Sequence, residues 1–410
     1  MGQTDLRHGS QSAGLFFRYA IGAQRKLYEA IFDGVLSKLD LFSRYADAEG
    51  ARRNRARRDG FGGIGVQFRI KGRELYITAV TPGMPAALSG IQANDIVTHI
   101  DGKPVTDLTI RQVTSQVRGP THTTVNLIVT RAGAEGPQEH NLMRTHIVPT
   151  TVTEKRLGDV LYFKISSFNQ DTSRSLADKL ESAIGTSGNR LKGVILDVRG
   201  NPGGLLKQSI KAADLFLTQG NIVSTKGRHA DSFHVYEAGG RDVTGGLPLL
   251  LLIDGKSASA AEIVAVALQD RERAVLIGTS SYGKGTVQTV LRLPNDGEIT
   301  LTWSRLVAPS GYTLHGLGVR PELCTGNKAA NISQLVSSLL ETKLAAKAIF
   351  NQWRTAGVQD ADHRRQLRDS CPAEPSHSDF ELEVARHLIA HPAVYAQALT
   401  LSTEPHQAHK

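Results

Sequence analysis

Four short apolar runs set the strongest constraint on this chain: DVLYFKISSF (159–168), GVILDVRG (193–200), LPLLLLID (247–254) and AVLIGTS (274–280). Helical periodicity separates them at 171–184, 204–217 and 259–269, with Leu176, Leu180 and Ile184 on one face of the first helix. Strands this apolar must be covered on both faces, and strands joined through helices favour parallel pairing. The segment therefore predicts a mixed α/β fold, a parallel or mixed sheet covered by helices. The run 247–253 is far too short to cross a bilayer and reads as a buried strand.

The flanks change character. A chain of 410 residues should hold two or three domains. Residues 61–131 carry strand candidates GVQFRI, ELYITAV, DIVTHI and TTVNLIVT, bounded by Gly, Pro or Asp and broken by short helices near 84–89 and 109–117. The segment TVLRLPNDGEITLTWSRLVAP predicts a hairpin turning at Pro294-Asn295-Asp296-Gly297. Residues 1–13 are polar. Leu27, Ile31, Val35, Leu36 and Leu39 recur at helical spacing, as do Ile332, Leu335, Val336, Leu339, Leu340 and then Val384, Leu388, Ile389 after residue 326. These boundaries give an N-terminal helical segment with an Arg-rich linker (1–58), a β-rich domain (59–148), the α/β core (149–325) and a helical C-terminal region (326–410).

Lys and Arg number 48 against 39 Asp and Glu, a net charge of +9. Arg52, Arg53, Arg55, Arg57 and Arg58 concentrate it, but without aromatic residues or a recognition-helix pattern they read as a solvated connecting loop rather than a nucleic-acid surface. Cys324 and Cys371 allow one disulfide or two thiols. Arg18, Arg25 and Lys26 interrupt the apolar residues near the start, so no signal-peptide core is visible there. His387 and His391 have metal-compatible helical spacing but no accompanying Glu, so no metal site is assigned.

Three segments could carry chemistry. Ser257-Ala258-Ser259-Ala260-Ala261-Glu262 runs from a buried strand into a helix, where free N–H groups favour a developing negative charge. A serine there is equally a plain helix cap, and local sequence does not separate Ser257 from Ser259. Lys284 lies in a Gly283-Lys284-Gly285 turn; as a general base it must be largely neutral, which calls for burial or neighbouring cations. The same stretch, Gly278 to Lys284, fits most of a phosphate-binding loop. Gly285 stands where that loop needs Ser or Thr to hold magnesium, so nucleotide binding is set aside. Asp197-Val198-Arg199-Gly200-Asn201-Pro202-Gly203-Gly204 is a sharp strand-to-helix turn.

Taken together, RGNPGG (199–204), SASAAEI (257–263) and YGKGTVQ (282–288) resemble the signatures of carboxy-terminal processing peptidases, or tail-specific proteases. PSGYTLHGLGVRPEL (309–323) adds to this resemblance. The Gly62-Gly63-Ile64-Gly65 loop and MPAALSGIQANDIVTHIDGKPV resemble a PDZ domain, a module whose strand edge and glycine loop take a peptide tail. The resemblance spans roughly residues 61–325. It implies a serine endopeptidase with a Ser-Lys dyad cutting proteins near their C-termini: Ser259 the nucleophile, Lys284 the base, Gln288 orienting it, Ala260 and Gly203 the oxyanion donors. It further implies protein or peptide substrates held by their tails, no nucleic acid, no cofactor and room for a homo-oligomer. The family's usual place is the cell envelope or periplasm, with the cytoplasm still open. Ala261 stands where the family has a third serine. Arg118, before the last strand of the β-rich module, is a candidate gate residue or ordinary surface charge. The alternative is a non-catalytic binding protein on the same scaffold, as in retinoid-carrying relatives.

Overall fold

A computed structural model describes residues 27–187, 190–326, 331–341, 343–376 and 378–402. The polar start, Arg18, Arg25 and Lys26 lie outside the described residues, as do the side chains of Leu339 and Leu340. The chain forms two compact units: Asn54–Thr150, and a discontinuous unit of the preceding residues with Thr151 onward.

In the smaller unit, strands Val66–Lys71, Glu74–Val80, Ile96–Ile100, Thr124–Thr130 and Gln138–Met143 form an antiparallel sheet in that order. Alternation dictates its core: Val125, Leu127 and Val129 point inward. They meet Val113 and Val117 of helix Ile110–Val117. Thr109 caps that helix in a box with Gln112, each side chain accepting the other's backbone N–H.

The larger unit is built on a six-stranded mixed sheet. Its order is Val152–Leu157, Val160–Ile165, Gly193–Asp197, Leu249–Ile253, Val275–Gly278 and Leu323–Cys324, the first pair antiparallel and the rest parallel. Alternate residues divide between two clusters. Val194, Leu196, Leu249 and Leu251 pack with helices Thr172–Ser187, Leu206–Asp214 and Ala260–Asp270. Ile195, Leu250 and Leu252 pack with C-terminal helices Phe380–Ala390 and Pro392–Leu399. Burial of these strands on both faces explains their unbroken apolar runs.

A second, antiparallel sheet is centred on Glu298–Val307. Thr286–Arg292 pairs with one edge of it as the predicted hairpin, and Arg44–Ala46 and Asn221–Lys226 pair with its other edge; His234–Glu237 then pairs with Asn221–Lys226. The Arg run is not a loop but helix Ala48–Arg58. Asp47 Oδ1 accepts the Gly50 N–H at 2.7 Å, Glu49 lies in the first turn and Arg55, Arg57 and Arg58 in the last, which complements the helix dipole. Leu36 is buried, whereas Leu27, Ile31, Val35 and Leu39 of the same periodic set are exposed. Cys324 and Cys371 form a disulfide that ties the edge strand to the chain after helix Ala361–Asp369. Among the described residues no helix is long and apolar enough to cross a membrane.

Candidate active site

Asp254, at the end of strand Leu249–Ile253, shapes the loop that presents Ser259. Its Oδ1 accepts the N–H groups of Lys256 (3.0 Å), Ser257 (3.0 Å) and Gly200 (2.8 Å). The Ser257 hydroxyl is buried and committed to the backbone: it accepts the Asp254 N–H and faces the Val198 carbonyl at 2.9 Å. Ser257 is therefore structural. Ser259 is only half-buried and adopts φ +54°, ψ −111°. An ordinary cap serine takes extended backbone. A left-handed φ on a non-glycine residue costs on the order of 1–3 kcal/mol and persists only where surrounding structure enforces it.

Glu262 does the enforcing. Its fully buried carboxylate accepts four donors: Ser259 N–H (2.7 Å) and Lys284 N–H (2.9 Å) on Oε2, Gly283 N–H (2.7 Å) and the Ser281 hydroxyl (2.5 Å) on Oε1. One oxygen thus holds the main chain at both Ser259 and Lys284, keeping their amide nitrogens within the summed length of two hydrogen bonds. Burial raises the Glu262 carboxyl above the usual carboxylate range, against the opposing pull of the four donors. The Ser281 hydroxyl already accepts the Val319 N–H, so all four partners are satisfied by an ionised carboxylate.

The Lys284 side chain is half-buried, with Nζ 5.0 Å from the centre of the Phe42 ring and without a hydrogen bond or ion pair among the described residues. Burial lowers its pKa, Arg44 lowers it further, and Glu262 opposes both. Gln288 makes no hydrogen bond to the lysine: its amide donates to Thr286 Oγ1 at 2.7 Å, beside a bulge between Val287 and Gln288. The main chain at Ser259 and Lys284 is tied to one carboxylate oxygen, whereas the amine, hydroxyl and glutamine are not joined by hydrogen bonds among the described residues.

The glycine turn faces the serine loop. Asn201 binds the Ile165 carbonyl through Nδ2 and accepts the Gly203 N–H at 2.9 Å through Oδ1, while its own carbonyl accepts the Ala258 N–H. The Gly203 N–H, expected to stabilise an oxyanion, is thus already donated. A Cβ on Gly204 would fall on the Phe168 carbonyl, so only glycine fits there. The Ala260 N–H, buried in the first turn of helix Ala260–Asp270, donates to no described residue, as expected of a helix start able to meet negative charge. Behind the turn, Asp197 accepts from Lys164 Nζ (2.9 Å), Tyr162 Oη (2.7 Å) and Arg199 (2.7 Å). Burial works against the Asp197 carboxylate, yet Arg199 and Lys164 hold its pKa below the usual range.

The C-terminal helical region laces these loops together. Arg199 reaches Glu381 at 3.2 Å, the Glu374 carbonyl accepts from Gly255 N–H, and the Arg368 guanidinium bonds the carbonyls of Leu317 and Ser281. Sequence reasoning missed Glu262, Phe42 and this strap. For Glu262 the signal was present, a Ser-x-x-Glu capping box; Phe42 and Arg368 carry none.

In the smaller unit a groove of about 440 Å³ is lined by Gly63, Ile64, Gly65, Met84, Val117 and Arg118, among others. The Ile64 and Gly65 N–H groups carry no hydrogen bond among the described residues. Gly62 stands outside the lining, packed so closely on the Gly119 carbonyl that no Cβ fits. Arg118 lines the groove, its guanidinium 3.6 Å from the centre of the Phe61 ring.

Residues 159–324 match peptidase family S41, and residues 76–131 match the PDZ domain. A carboxy-terminal-processing protease of Bartonella bacilliformis is 38% identical over 303 residues, 73% of this chain and 69% of the relative. A Staphylococcus aureus protein named "Probable CtpA-like serine protease" is 30% identical over 302 residues, covering 60% of its own length. The structure of a photosystem II D1 C-terminal processing protease superposes with a TM-score of 0.42 at 24% identity, covering 71% of this chain and 80% of that one. The chain belongs to peptidase family S41, among the carboxy-terminal-processing proteases, and carries a PDZ domain.

Proposed function

We propose that this protein is a Ser-Lys endopeptidase that cuts polypeptides near their C-termini, with the PDZ unit holding the substrate tail. The enforced backbone of Ser259, φ +54° and ψ −111°, carries the reading: a cap needs no such conformation, whereas a nucleophile on a strand-to-helix elbow does. Neutral Lys284 takes the Ser259 proton as Oγ adds to the scissile carbonyl. The Ala260 N–H meets the oxyanion, and the lysine returns the proton to the leaving amine as the C–N bond breaks. Water then repeats the sequence on the acyl-enzyme.

Assembly requires the Lys284 amine to swing to Ser259 and Gln288 to turn towards it. Catalytic hydrogen bonds commonly close only with substrate bound. Gly203 serves as second oxyanion donor once Asn201 releases its N–H. In the PDZ groove the free Ile64 and Gly65 N–H groups and the Arg118 cation suit a terminal carboxylate, and the apolar lining suits apolar terminal side chains. A role in the cell envelope follows from the family and fits a disulfide-bonded chain.

The test is a digest of a tailed test protein by wild type, Ser259→Ala and Lys284→Ala, with products read by mass. Wild type should cut near the tail and both variants should not, while tail binding survives. Cleavage by Ser259→Ala would refute the nucleophile assignment, whereas no cleavage by wild type together with no fluorophosphonate labelling of Ser259 would favour a binding protein without chemistry.

A further inference from the structure

The segment Asp40–Ala46, far in sequence from the serine and lysine loops, lies against the amine on which the proposed chemistry depends. It is not a loose tail. Asp40 Oδ1 accepts the N–H groups of Phe42 (2.6 Å) and Ser43 (2.8 Å), its Oδ2 accepts the Ser43 hydroxyl, and Ser43 Oγ accepts the Thr302 N–H at 3.2 Å. Arg44–Ala46 then pairs in register with Glu298–Thr300. These bonds fix the main chain at Phe42, whose ring centre is 5.0 Å from Lys284 Nζ and 6.1 Å, edge-on, from the His315 ring.

We propose that Phe42 is a positioning residue of the peptidase: its ring is the water-excluding wall against which the Lys284 amine is held. The inference rests on the reading of Lys284 as the base. An aromatic wall acts on an amine in two opposed ways. It removes water, which disfavours the charged form, and its π face attracts a cation, worth about 0.5–1 kcal/mol at exposed sites. Burial leads the causes that lower the Lys284 pKa, and the proposal gives the Phe42 ring a share of that burial larger than its π attraction. The charged and titratable groups around this contact are Arg44 on the same segment, Glu262 under the lysine loop, His315 against the ring, and Asp40, Arg305 and Arg364 acting on His315. His315 is itself held below the usual histidine range, by burial first, so its titration falls on the acid side.

The experiment measures kcat/KM against pH for wild type, Phe42→Ala and Phe42→Leu on a tailed peptide, with binding of that tail to the protein as a second readout. Phe42→Ala should move the acid limb to higher pH by about one unit, lowering the rate below the limb by about tenfold. Phe42→Leu keeps an apolar wall without a π face and should leave the limb at or below its wild-type position. Tail binding should be unchanged in both. An Ala limb that stays put or moves to lower pH overturns the proposal, as does a Leu variant that behaves like Ala. Lys284→Ala separates the two claims: activity persisting in that variant defeats the base assignment itself, whatever Phe42 does.

Discussion

Glu262→Gln tests whether a buried carboxylate organises this site. The substitution keeps the shape but turns one of two accepting oxygens into an NH₂ group. If the amide nitrogen faces Ser259 and Lys284, both of their N–H groups lose an acceptor. In the opposite orientation the Gly283 N–H is stranded, while the Ser281 hydroxyl can turn and accept. The second orientation is cheaper because Ser259 and Lys284 keep their shared acceptor; the stranded Gly283 N–H alone costs about 1–3 kcal/mol. Expressed at the site, that is a loss of about 5- to 150-fold in kcat/KM. A second signature has the opposite sign. Glu262 raises the Lys284 pKa, so removing its charge should move the acid limb of the pH profile to lower pH even as the maximum falls. The assay is cleavage of a tailed peptide from pH 5 to 9 at saturating and limiting substrate, with a thermal melt alongside. Wild-type kcat/KM across that range, with the limb unmoved, would refute the assigned role.

Activity in the wild type should fall as pH drops through the Lys284 pKa, because the protonated amine cannot accept the serine proton; since burial lowers that pKa, the limb should lie below the 10.5 of a free lysine, and a limb at the free value would contradict the geometry. Cys371→Ser, or reduction by a dithiol, opens a loop between residues separated by 47 positions and should cost up to about 4 kcal/mol of stability by the chain-entropy relation, read as a lower melting temperature. Gly204→Ala must displace the Phe168 carbonyl and adopt φ +148°, so it should destabilise the fold measurably; an unchanged melt would show that the turn can relax.

The parallel strands were legible because burial on both faces leaves nothing but apolar residues, as in Leu249–Ile253 and Val275–Gly278. Strands of the second sheet were not. Asn221–Lys226 and His234–Glu237 mix polar and apolar residues, and Arg44–Ala46 is three residues long, paired with a partner about 250 positions away. The Arg run reads as a loop from its charge, which hides a set of good helix formers with complementary ends. At the site the local motifs pointed to Ser259, Lys284 and the glycine turn, and the resemblance chose Ser259 over Ser257; the positive φ of Ser259 is a difference between the two serines that only three dimensions display. The Arg199–Glu381 pair and the Phe42–Lys284 contact join distant segments, and no local pattern announces such partners.

One shared acceptor for the amides of Ser259 and Lys284 has a kinetic corollary. Their main-chain segments are pinned to a common oxygen and cannot drift apart without stranding a buried donor. On the proposed mechanism, switching between idle and working forms would be left to the torsions of a flexible lysine stem leaving an aromatic face. Rotamer hops of that kind take far less time than refolding a loop, so arrival of a substrate, rather than slow rebuilding of the enzyme, would set the pace of turning on.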